Sequence, residues 1–248
     1  MIPIDLSGRV AVITGAGRGI GRAMSLAFSR AGASLALNYR DNDEAAFSLL
    51  DEIKSGGGRA LLCKGSISDQ RVVDELMRKC LEEWQRLDFL VNNAGITRDN
   101  YLAFMKASDW DEVMDVNLKA PFACCKAVLK KMVAQKSGSI INISSASAMS
   151  GREGQVNYSA AKAGLLGFTK ALAREVGRYN VRVNAIVTGV IDTDMTKKLP
   201  RKIMSPILSQ TSLQRIGRPE EVANLAVFLA SDLASYITGS CISIDGGL

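Results

Sequence analysis

Short runs of β-branched and apolar residues alternate along the chain with longer stretches in which apolar residues recur every three or four positions. The first pattern predicts buried β-strands and the second predicts amphipathic helices. Because strand and helix alternate throughout, we predict a parallel sheet with helices on both faces. No change of composition and no Pro/Ser-rich linker divides the sequence, so we expect one α/β domain over residues 1–248.

Most elements are predicted with definite boundaries. One segment, at about residues 190–215, has no clear periodicity and contains Pro200 and Pro206. Long irregular segments in compact domains are often lids, and we predict a substrate lid here. We predict strands at 9–14, 33–39, 59–64, 87–91, 138–143, 181–187 and 241–244, and helices that end at residue 31 or span 43–54, 70–85, 108–135, 158–177 and 219–230.

A glycine-rich turn joins the first strand to the first helix. Its backbone N–H groups and the helix dipole suit a pyrophosphate, although such a turn also occurs without a ligand. The strand before it and the helix after it favour a dinucleotide and a Rossmann-type fold of about seven strands. We expect the turn to bind the cofactor through Gly15, Gly17, Arg18, Gly19 and Ile20.

The end of the second strand predicts which dinucleotide binds. An acid there selects NAD, whereas arginine accommodates the 2′-phosphate of NADP. This strand ends at Asn38 and is followed by Arg40, with Arg18 nearby in the glycine turn. We therefore prefer NADPH to NADH; alternatively, the arginines pair with Asp41 or face solvent.

Small and amide residues follow the third and fourth strands. Such residues suit a cofactor that lies across the sheet, although an Asn-rich turn also holds neighbouring strands without a ligand. We expect further cofactor contacts from Ser66, Ile67, Asn93, Ala94 and Gly95.

Tyr158 and Lys162 are four positions apart in a helical pattern and therefore lie on one face. A nearby ammonium favours the phenolate, so we expect Lys162 to lower the pKa of Tyr158. A shift from about 10 to about 7 requires about 4 kcal/mol, which we expect from a desolvated ammonium together with an oxidised nicotinamide. This pair predicts acid/base chemistry in a chain that has no histidine.

The long helix that contains Asn117 also contains Pro121. Because proline has no N–H, the Asn117 carbonyl loses its helical partner and the helix should bend. Considered without its neighbours, the bend at Pro121 is explained as a purely structural kink. Beside the Tyr158–Lys162 pair, the free carbonyl is a candidate for holding a relay water.

Composition narrows the classes of function. The net charge of +6 comes from basic residues scattered among acids, which indicates a solvated surface rather than nucleic-acid binding. The absence of histidine makes ordinary zinc enzymes improbable, and the five cysteines form no C-x-x-C pair, as expected of reduced core thiols. We see no signal peptide or membrane span, and we expect a cytoplasmic protein, or an organelle-matrix protein after removal of a transit peptide.

Together, these motifs resemble the short-chain dehydrogenase/reductase family over essentially the whole chain. Within it, the sequence is most similar to bacterial-type β-ketoacyl-[acyl-carrier-protein] reductases. The family resemblance rests on Thr14-Gly15-x-x-x-Gly19-x-Gly21, Asn92-Asn93-Ala94-Gly95, Asn117, Ser145, Tyr158-x-x-x-Lys162 and Asp245-Gly246-Gly247. The resemblance to the reductases rests on Val91-Asn92-Asn93-Ala94-Gly95-Ile96-Thr97-Arg98-Asp99, Gln155-Val156-Asn157-Tyr158, Ala173-Arg174-Glu175-Val176 and Ile191-Asp192-Thr193-Asp194-Met195.

The resemblance implies NADPH-dependent reduction of a β-ketoacyl thioester carried by acyl-carrier protein or CoA. It implies that Tyr158 gives a proton to the ketone, Ser145 binds the carbonyl, Lys162 holds the nicotinamide ribose and Asn117 positions the relay water. Alternatives are a reductase for acetoacetyl-CoA, a quinone, a sugar or a steroid, and a non-catalytic NADP-binding protein. The resemblance also implies a homotetramer, and nicotinamide contacts from Ile191 and Thr193.

The sequence departs from the family pattern at two positions. Thr188 replaces the usual proline before Gly189, which should loosen that turn, and Ser66 replaces an Asp or Asn that usually meets the adenine. The resemblance further implies that a carrier protein docks on basic residues beside the site entrance. Lys136 and Arg178 are our candidates, although either residue is equally well explained as a solvated charge.

Overall fold

The computed structural model describes residues 4–197 and 201–248. Within them, the strands form one seven-stranded parallel sheet in the order β3-β2-β1-β4-β5-β6-β7. The predicted α/β class and doubly wound sheet are confirmed. The strands are β1 Val10–Ile13, β2 Ser34–Tyr39, β3 Ala60–Lys64, β4 Phe89–Asn92, β5 Gly138–Ser145, β6 Val181–Thr188 and β7 Cys241–Ile244.

Helices connect successive strands and cover both faces of the sheet. They are α1 Gly19–Arg30, α2 Asp43–Ser55, α3 Gln70–Trp84, α4 Ala107–Met114, α5 Ala120–Gln135, α6 Ser147–Ser150, α7 Val156–Val176, α8 Asp194–Lys197, α9 Arg201–Gln210 and α10 Pro219–Ala230. Short 3-10 turns lie at Leu102–Phe104, Gly177–Tyr179 and Asp232–Ala234.

Two apolar cores lie on opposite faces of the sheet. On one face, α1, α2 and α10 pack through side chains such as Phe28, Leu49 and Val222. On the other face, α3, α5 and α7 pack through side chains such as Leu76 and Val128. Because both faces of the central strands are covered, β1 and β4 are buried at every position rather than at alternate positions.

The structure corrects three predictions of local structure. The long helix predicted at 108–135 is divided by a π-helical turn at Asp115–Lys119. Strand β5 continues two residues beyond its predicted end and includes Ser145. The predicted irregular lid contains α8 and α9 instead, and α9 accommodates Pro206; residues 198–200 of the predicted lid lie outside the described residues.

The cysteines are free thiols, as predicted, and all except Cys241 are buried. Burial raises the pKa of Cys80 and of Cys125 to about 12, which keeps both thiols protonated at neutral pH. In the described ranges, no helix combines the length and the apolar character that crossing a bilayer requires.

Candidate functional site

The predicted site residues lie along the carboxyl edge of the parallel sheet. The chain passes from β1 to β2 on one side and returns to β4 on the other, so the order of the strands reverses between β1 and β4. Such a switch point opens a crevice at the carboxyl ends of the strands, where ligands bind in doubly wound folds. The glycine turn and Asn93 lie on its two sides.

Thr14 and Asn93 join the two sides of this crevice. The Thr14 hydroxyl accepts hydrogen bonds from the backbone N–H groups of Asn93 and Ala94, each at 3.0 Å. In return, Asn93 Nδ2 donates to the carbonyls of Thr14 and Gly15 at 2.9 and 3.1 Å. The Asn93 amide is therefore engaged with protein, and Thr14 has a positioning role that our sequence analysis missed. A hydroxyl directly before a glycine turn was the available signal.

The start of α1 has the features of an anion site. Arg18 precedes the helix with extended backbone and provides no side-chain cap, and the first turn carries no acid. The first N–H groups of α1 thus have no capping side chain, which suits a phosphate. Gly21 allows the first turn of α1 to pack closely against the glycine turn, because a Cβ there would lie 2.1 Å from the Gly15 carbonyl oxygen.

The predicted ribose contacts lie beside this turn but differ in availability. Asn38 is buried, and its Nδ2 donates to the carbonyls of Cys63 and Gly65 at 3.2 and 3.0 Å. Its side chain thus holds the protein together, and a nucleotide contact from it stays a prediction. Arg40 is exposed and forms an ion pair with Asp41, the alternative that the sequence left open.

The predicted adenine and nicotinamide contacts are also placed. Ser66 lies in the loop after β3, and the Ile67 side chain is buried in a core rather than presented to a ligand. Ile191 is also buried in a core. Thr193 lies against the glycine turn, since a Cβ on Gly19 would be 3.1 Å from its Cγ2. Of these side chains, Thr193 is the one that borders the phosphate region.

The bend predicted from Pro121 is confirmed, and it takes the form of the π-helical turn. The Ala120 N–H donates to the Asp115 carbonyl, five residues back. Inside this turn, Asn117 is fully buried and its Nδ2 donates to the carbonyls of Ile96 and Val113, both at 2.9 Å. Its Oδ1 is buried and has no hydrogen-bond partner among the described residues.

Gly95 separates Asn117 from Lys162. A Cβ at Gly95 would lie 2.8 Å from Asn117 Oδ1 and 3.5 Å from Lys162 Nζ. Both polar atoms therefore border the same small space beside Gly95, where only a residue without a side chain fits. An acceptor without a partner next to a lysine amine is a suitable place for a water. The relay role of Asn117 stays a prediction. Its side-chain Oδ1 is now a second candidate acceptor for the water, beside the backbone carbonyl.

Tyr158 and Lys162 lie on one face of α7, as predicted, beside the end of β5. The Lys162 Nζ is 5.7 Å from the centre of the Tyr158 ring and donates to the Ile143 carbonyl at 2.8 Å. Tyr158 is half-buried and shares a hydrogen bond with Ser145. The structure thus brings three of the four predicted catalytic side chains together, with Asn117 on the far side of Gly95.

The predicted shift of the Tyr158 pKa is wrong in this structure. Burial raises the pKa of Tyr158 to about 12, the hydrogen bond with Ser145 lowers it in part, and the charge of Asp99 raises it further. Burial also lowers the pKa of Lys162 to about 8. The cost of removing the phenolate from water exceeds the attraction of an ammonium that itself is buried and directed toward the Ile143 carbonyl.

A hydrogen-bonded chain supports Ser145 through residues for which the sequence patterns predicted no role. The Ser145 hydroxyl accepts from the Ser147 N–H at 3.2 Å, and the Ser147 hydroxyl donates to Gln155 Oε1 at 3.1 Å. Gln155 Nε2 then donates to Asp99 at 2.8 Å. No local sequence signal connects residues 56 positions apart, so this network became visible only in the folded chain.

Lys136 and Arg178, the two candidates for carrier docking, lie far in space from the site of the same chain. Lys136 lies two residues before β5 and Arg178 lies three residues before β6, so both lie at the amino edge of the sheet. Ser145, at the other end of the eight-residue strand β5, is about 25 Å away. The expectation that these two residues flank the entrance of their own site is therefore wrong.

Comparisons with known proteins agree with this architecture. The sequence model of a family described as enoyl-(acyl carrier protein) reductase matches residues 15–248. A 3-oxoacyl-[acyl-carrier-protein] reductase from Synechocystis sp. is 48% identical over 98% of both chains, and one from Thermotoga maritima is 45% identical over 98% of both chains.

A solved structure is also similar. It was assigned provisionally as an NAD(P)-dependent gluconate 5-dehydrogenase from Beutenbergia cavernae and contains NADP at low occupancy. It superposes with a TM-score of 0.93 at 36% identity and covers 99% of this chain and 98% of its own. The fold, the glycine turn and the near-complete matches lead to one conclusion: the chain belongs to the short-chain dehydrogenase/reductase family.

Proposed function

We propose that the chain reduces the ketone of a β-ketoacyl thioester, linked to acyl-carrier protein or CoA, to the β-hydroxyacyl thioester in fatty-acid synthesis. The observation that carries this proposal is the hydrogen-bonded pair of Ser145 and Tyr158 at the sheet edge that also holds the glycine turn. The 3-oxoacyl reductases that are 45–48% identical to this chain support the choice of substrate.

The residues present fit NADPH as the cofactor. The start of α1 has no capping side chain and no acid, so it suits a pyrophosphate. The exposed Arg40–Asp41 ion pair is weak in water, which leaves the guanidinium able to bind a 2′-phosphate instead. The NADP in the Beutenbergia structure supports this choice. Bound NADPH supplies the hydride.

Ser145 and Tyr158 act on the ketone oxygen. The Ser145 hydroxyl donates a hydrogen bond to this oxygen and fixes its direction, while the Tyr158 phenol gives its proton as negative charge develops there. The raised pKa of Tyr158 keeps the phenol protonated at neutral pH, which favours the reductive direction. Hydrogen bonds that strengthen as the oxygen becomes negative stabilise the transition state more than the ground state.

Lys162 and Asn117 return the proton to Tyr158. With a pKa of about 8, the Lys162 ammonium is charged at neutral pH and remains able to release a proton. The unpartnered Oδ1 of Asn117 can hold a water next to this amine, which connects the amine to solvent. The two residues thus form the inner end of a proton path.

We infer that the segment at about 190–215 is the substrate lid. Its first part is anchored where the Gly217 N–H donates to the Val190 carbonyl at 2.9 Å. Its last part is anchored where the Leu213 N–H donates to the Gly246 carbonyl at 3.0 Å. A segment held at both ends beside the site is in a position to cover a bound substrate.

We also propose that the protein is a cytoplasmic homotetramer. A cavity of about 460 Å³ on the outer side of the π-helical turn is bordered by Leu118, Phe122 and Phe168, and half of the Phe122 surface is exposed. Apolar side chains exposed around a surface cavity are typical of a subunit contact. Light scattering of the purified protein measures the oligomeric state.

A substrate panel tests the proposed function. Purified protein is mixed with NADPH and acetoacetyl-CoA, acetoacetyl-acyl-carrier protein, crotonyl-CoA or 5-keto-gluconate, and the loss of NADPH absorbance is followed. We expect turnover of the two acetoacetyl thioesters, because both present a ketone to Ser145 and Tyr158. Crotonyl-CoA tests the enoyl reduction that the family description names, and the keto-acid tests the sugar alternative.

Each outcome of the panel has a distinct meaning. Faster turnover of 5-keto-gluconate than of either acetoacetyl thioester contradicts the proposed substrate and supports a sugar dehydrogenase. Turnover of crotonyl-CoA alone supports an enoyl reductase. If NADPH binds and none of the four compounds reacts, a non-catalytic NADP-binding protein is the better description.

A further inference from the structure

Thr188 lies beside Ser145 and contacts the backbone on both sides of it. The two residues are paired in the register of β5 and β6, and Thr188 is buried. Its hydroxyl donates to the Ser144 carbonyl at 3.1 Å, and its own carbonyl accepts from the Ala146 N–H at 2.8 Å. One residue therefore fixes the peptide groups that precede and follow Ser145.

The hydroxyl bond depends on the identity of residue 188. Any residue at this position provides the carbonyl that binds Ala146, but only threonine or serine also provides a short hydroxyl for Ser144. The proline that the family usually has here lacks this group. The turn is thus held by a bond between strands that we did not predict, whereas we had expected Thr188 to loosen it.

The same strand end is also tied to the helix that carries the proton donor. The Ser144 hydroxyl donates to the Lys162 carbonyl at 3.0 Å. Ser144 is therefore fixed on one side to β6, through its carbonyl, and on the other side to α7, through its hydroxyl. The position of Ser145 relative to Tyr158 follows from these two bonds.

We propose that the Thr188 hydroxyl is a positioning group for the reaction, which acts by holding Ser145 at hydrogen-bonding distance from Tyr158 and from the substrate carbonyl. The kinetic test of this inference rests on the proposed function, whereas its structural test does not. The residue touches neither cofactor nor substrate in this account. Its effect passes through the backbone of Ser144 and Ser145.

The test compares Thr188→Val with Thr188→Ser. Valine keeps the shape and the backbone bond but removes the hydroxyl, whereas serine keeps the hydroxyl. We expect Thr188→Val to lower kcat for acetoacetyl-CoA about tenfold, because a shift of Ser145 weakens binding of the transition state. We expect the Kd for NADPH to be unchanged and Thr188→Ser to restore most of the lost kcat.

Ser139→Ala is the matched control. The Ser139 hydroxyl is buried in the same strand, β5, and donates to the Leu229 carbonyl at 3.0 Å, but at the end far from the site. We expect this variant to be less stable to heat and to keep the wild-type kcat. A general effect of losing one buried hydroxyl bond would instead affect both variants alike.

Two results would overturn the proposal. One is a Thr188→Val variant with wild-type kcat, and the other is an equal loss of kcat in Thr188→Val and Ser139→Ala. If the wild-type protein reduces none of the compounds in the panel, the proposed function is contradicted but the positioning role of Thr188 is not. The crystal structure of Thr188→Val then tests that role. Displacement of the Ser145 hydroxyl from Tyr158 supports the positioning role, and an unmoved hydroxyl contradicts it.

Discussion

Tyr158 and Lys162 respond in opposite ways to the same buried environment. Burial disfavours the charged form of each group, so it raises the pKa of the phenol and lowers the pKa of the amine. The two values lie about 4 units apart, at about 12 and about 8, in the reverse of their ordinary order. The amine is therefore the group that titrates near physiological pH.

Lys162→Met tests this burial through stability. The pKa of Lys162 is about 8 in the folded chain, below the ordinary lysine value of 10.5 that applies in the unfolded chain, so between these values the unfolded chain binds more protons. Stability from this group therefore rises as pH increases from about 8 to about 10.5, by about 3 kcal/mol. We expect urea unfolding to show this rise in the wild type relative to Lys162→Met.

The relevant quantity is the difference in the free energy of unfolding between the wild type and Lys162→Met at each pH. The raised pKa values of the buried cysteines lower the stability of both proteins as pH increases, and this effect cancels in the difference. A difference that does not change with pH would mean that Lys162 is solvated in the folded chain. Asp99→Asn leaves the amine in place and serves as the control. Its free energy of unfolding, compared with that of Lys162→Met, should depend on pH as that of the wild type does.

The sequence was sufficient to predict which reactive side chains lie together, but not the direction in which their pKa values shift. Spacing in a helix brings Tyr158 and Lys162 together, which can be predicted from four-residue periodicity. Whether a cation lowers a phenol pKa depends on burial and on where the amine is directed, and both come from tertiary packing. For the same reason, Ile67 was expected at the adenine and is found in a core.

The π-helical turn between α4 and α5 places Asn117 in the site. Pro121 cannot donate to the Asn117 carbonyl, and the Ala120 N–H bonds five residues back instead of four. The extra residue in this turn rotates the helix face. As a result, Asn117 reaches the backbone of Ile96 and the space beside Gly95.

Pro121→Ala tests whether this turn serves the reaction. Alanine restores the missing N–H, so we expect a regular helix to become competitive and the free energy of unfolding to increase by about 1 kcal/mol. We expect kcat to fall about tenfold, because Asn117 moves away from Lys162. Urea unfolding and steady-state kinetics measure the two effects.

Pro219→Ala is the control for this prediction. Pro219 begins α10, where a missing N–H costs no helical hydrogen bond. It should leave kcat unchanged. If Pro121→Ala also retains the wild-type kcat, the π-helical turn is a structural feature with no part in catalysis.

Elements with strong periodicity were predicted well from the sequence, and those shaped by tertiary contacts were not. Helix α10 and strand β7 have the predicted boundaries, since their apolar patterns are uninterrupted. The bend at Pro121 was predictable because it follows from one missing N–H. Helix α9 was missed because Pro206 within it indicated an irregular segment.

In the whole molecule, the two edges of the sheet have different roles. The carboxyl edge carries the glycine turn, Ser145 and Tyr158. At the amino edge, the fully buried Asp88 accepts from the Val10 N–H at 2.9 Å and forms ion pairs with Arg9 and Arg86. Buried charges held in this way stabilise a fold only while all partners are present, which suits a structural role.

The strand order explains why distant sequence segments form one site. Residues after β1, β4 and β5 meet because parallel strands place their carboxyl ends along one edge. The dinucleotide turn could be predicted from local sequence, whereas the Asp99–Gln155 contact could not, because it depends on how two loops meet. In the proposed function, this one edge binds the nucleotide and also protonates the ketone.

Tyr158→Phe separates the two roles of this edge, because it removes the proton donor and leaves the nucleotide site intact. NADPH binding is measured by fluorescence titration, and acetoacetyl-CoA reduction by NADPH absorbance, on wild type and variant. We predict a Kd for NADPH within about twofold of wild type and a loss of kcat of about 10³-fold, which is typical of removing a general acid. A variant that reduces acetoacetyl-CoA at the wild-type rate would contradict the account.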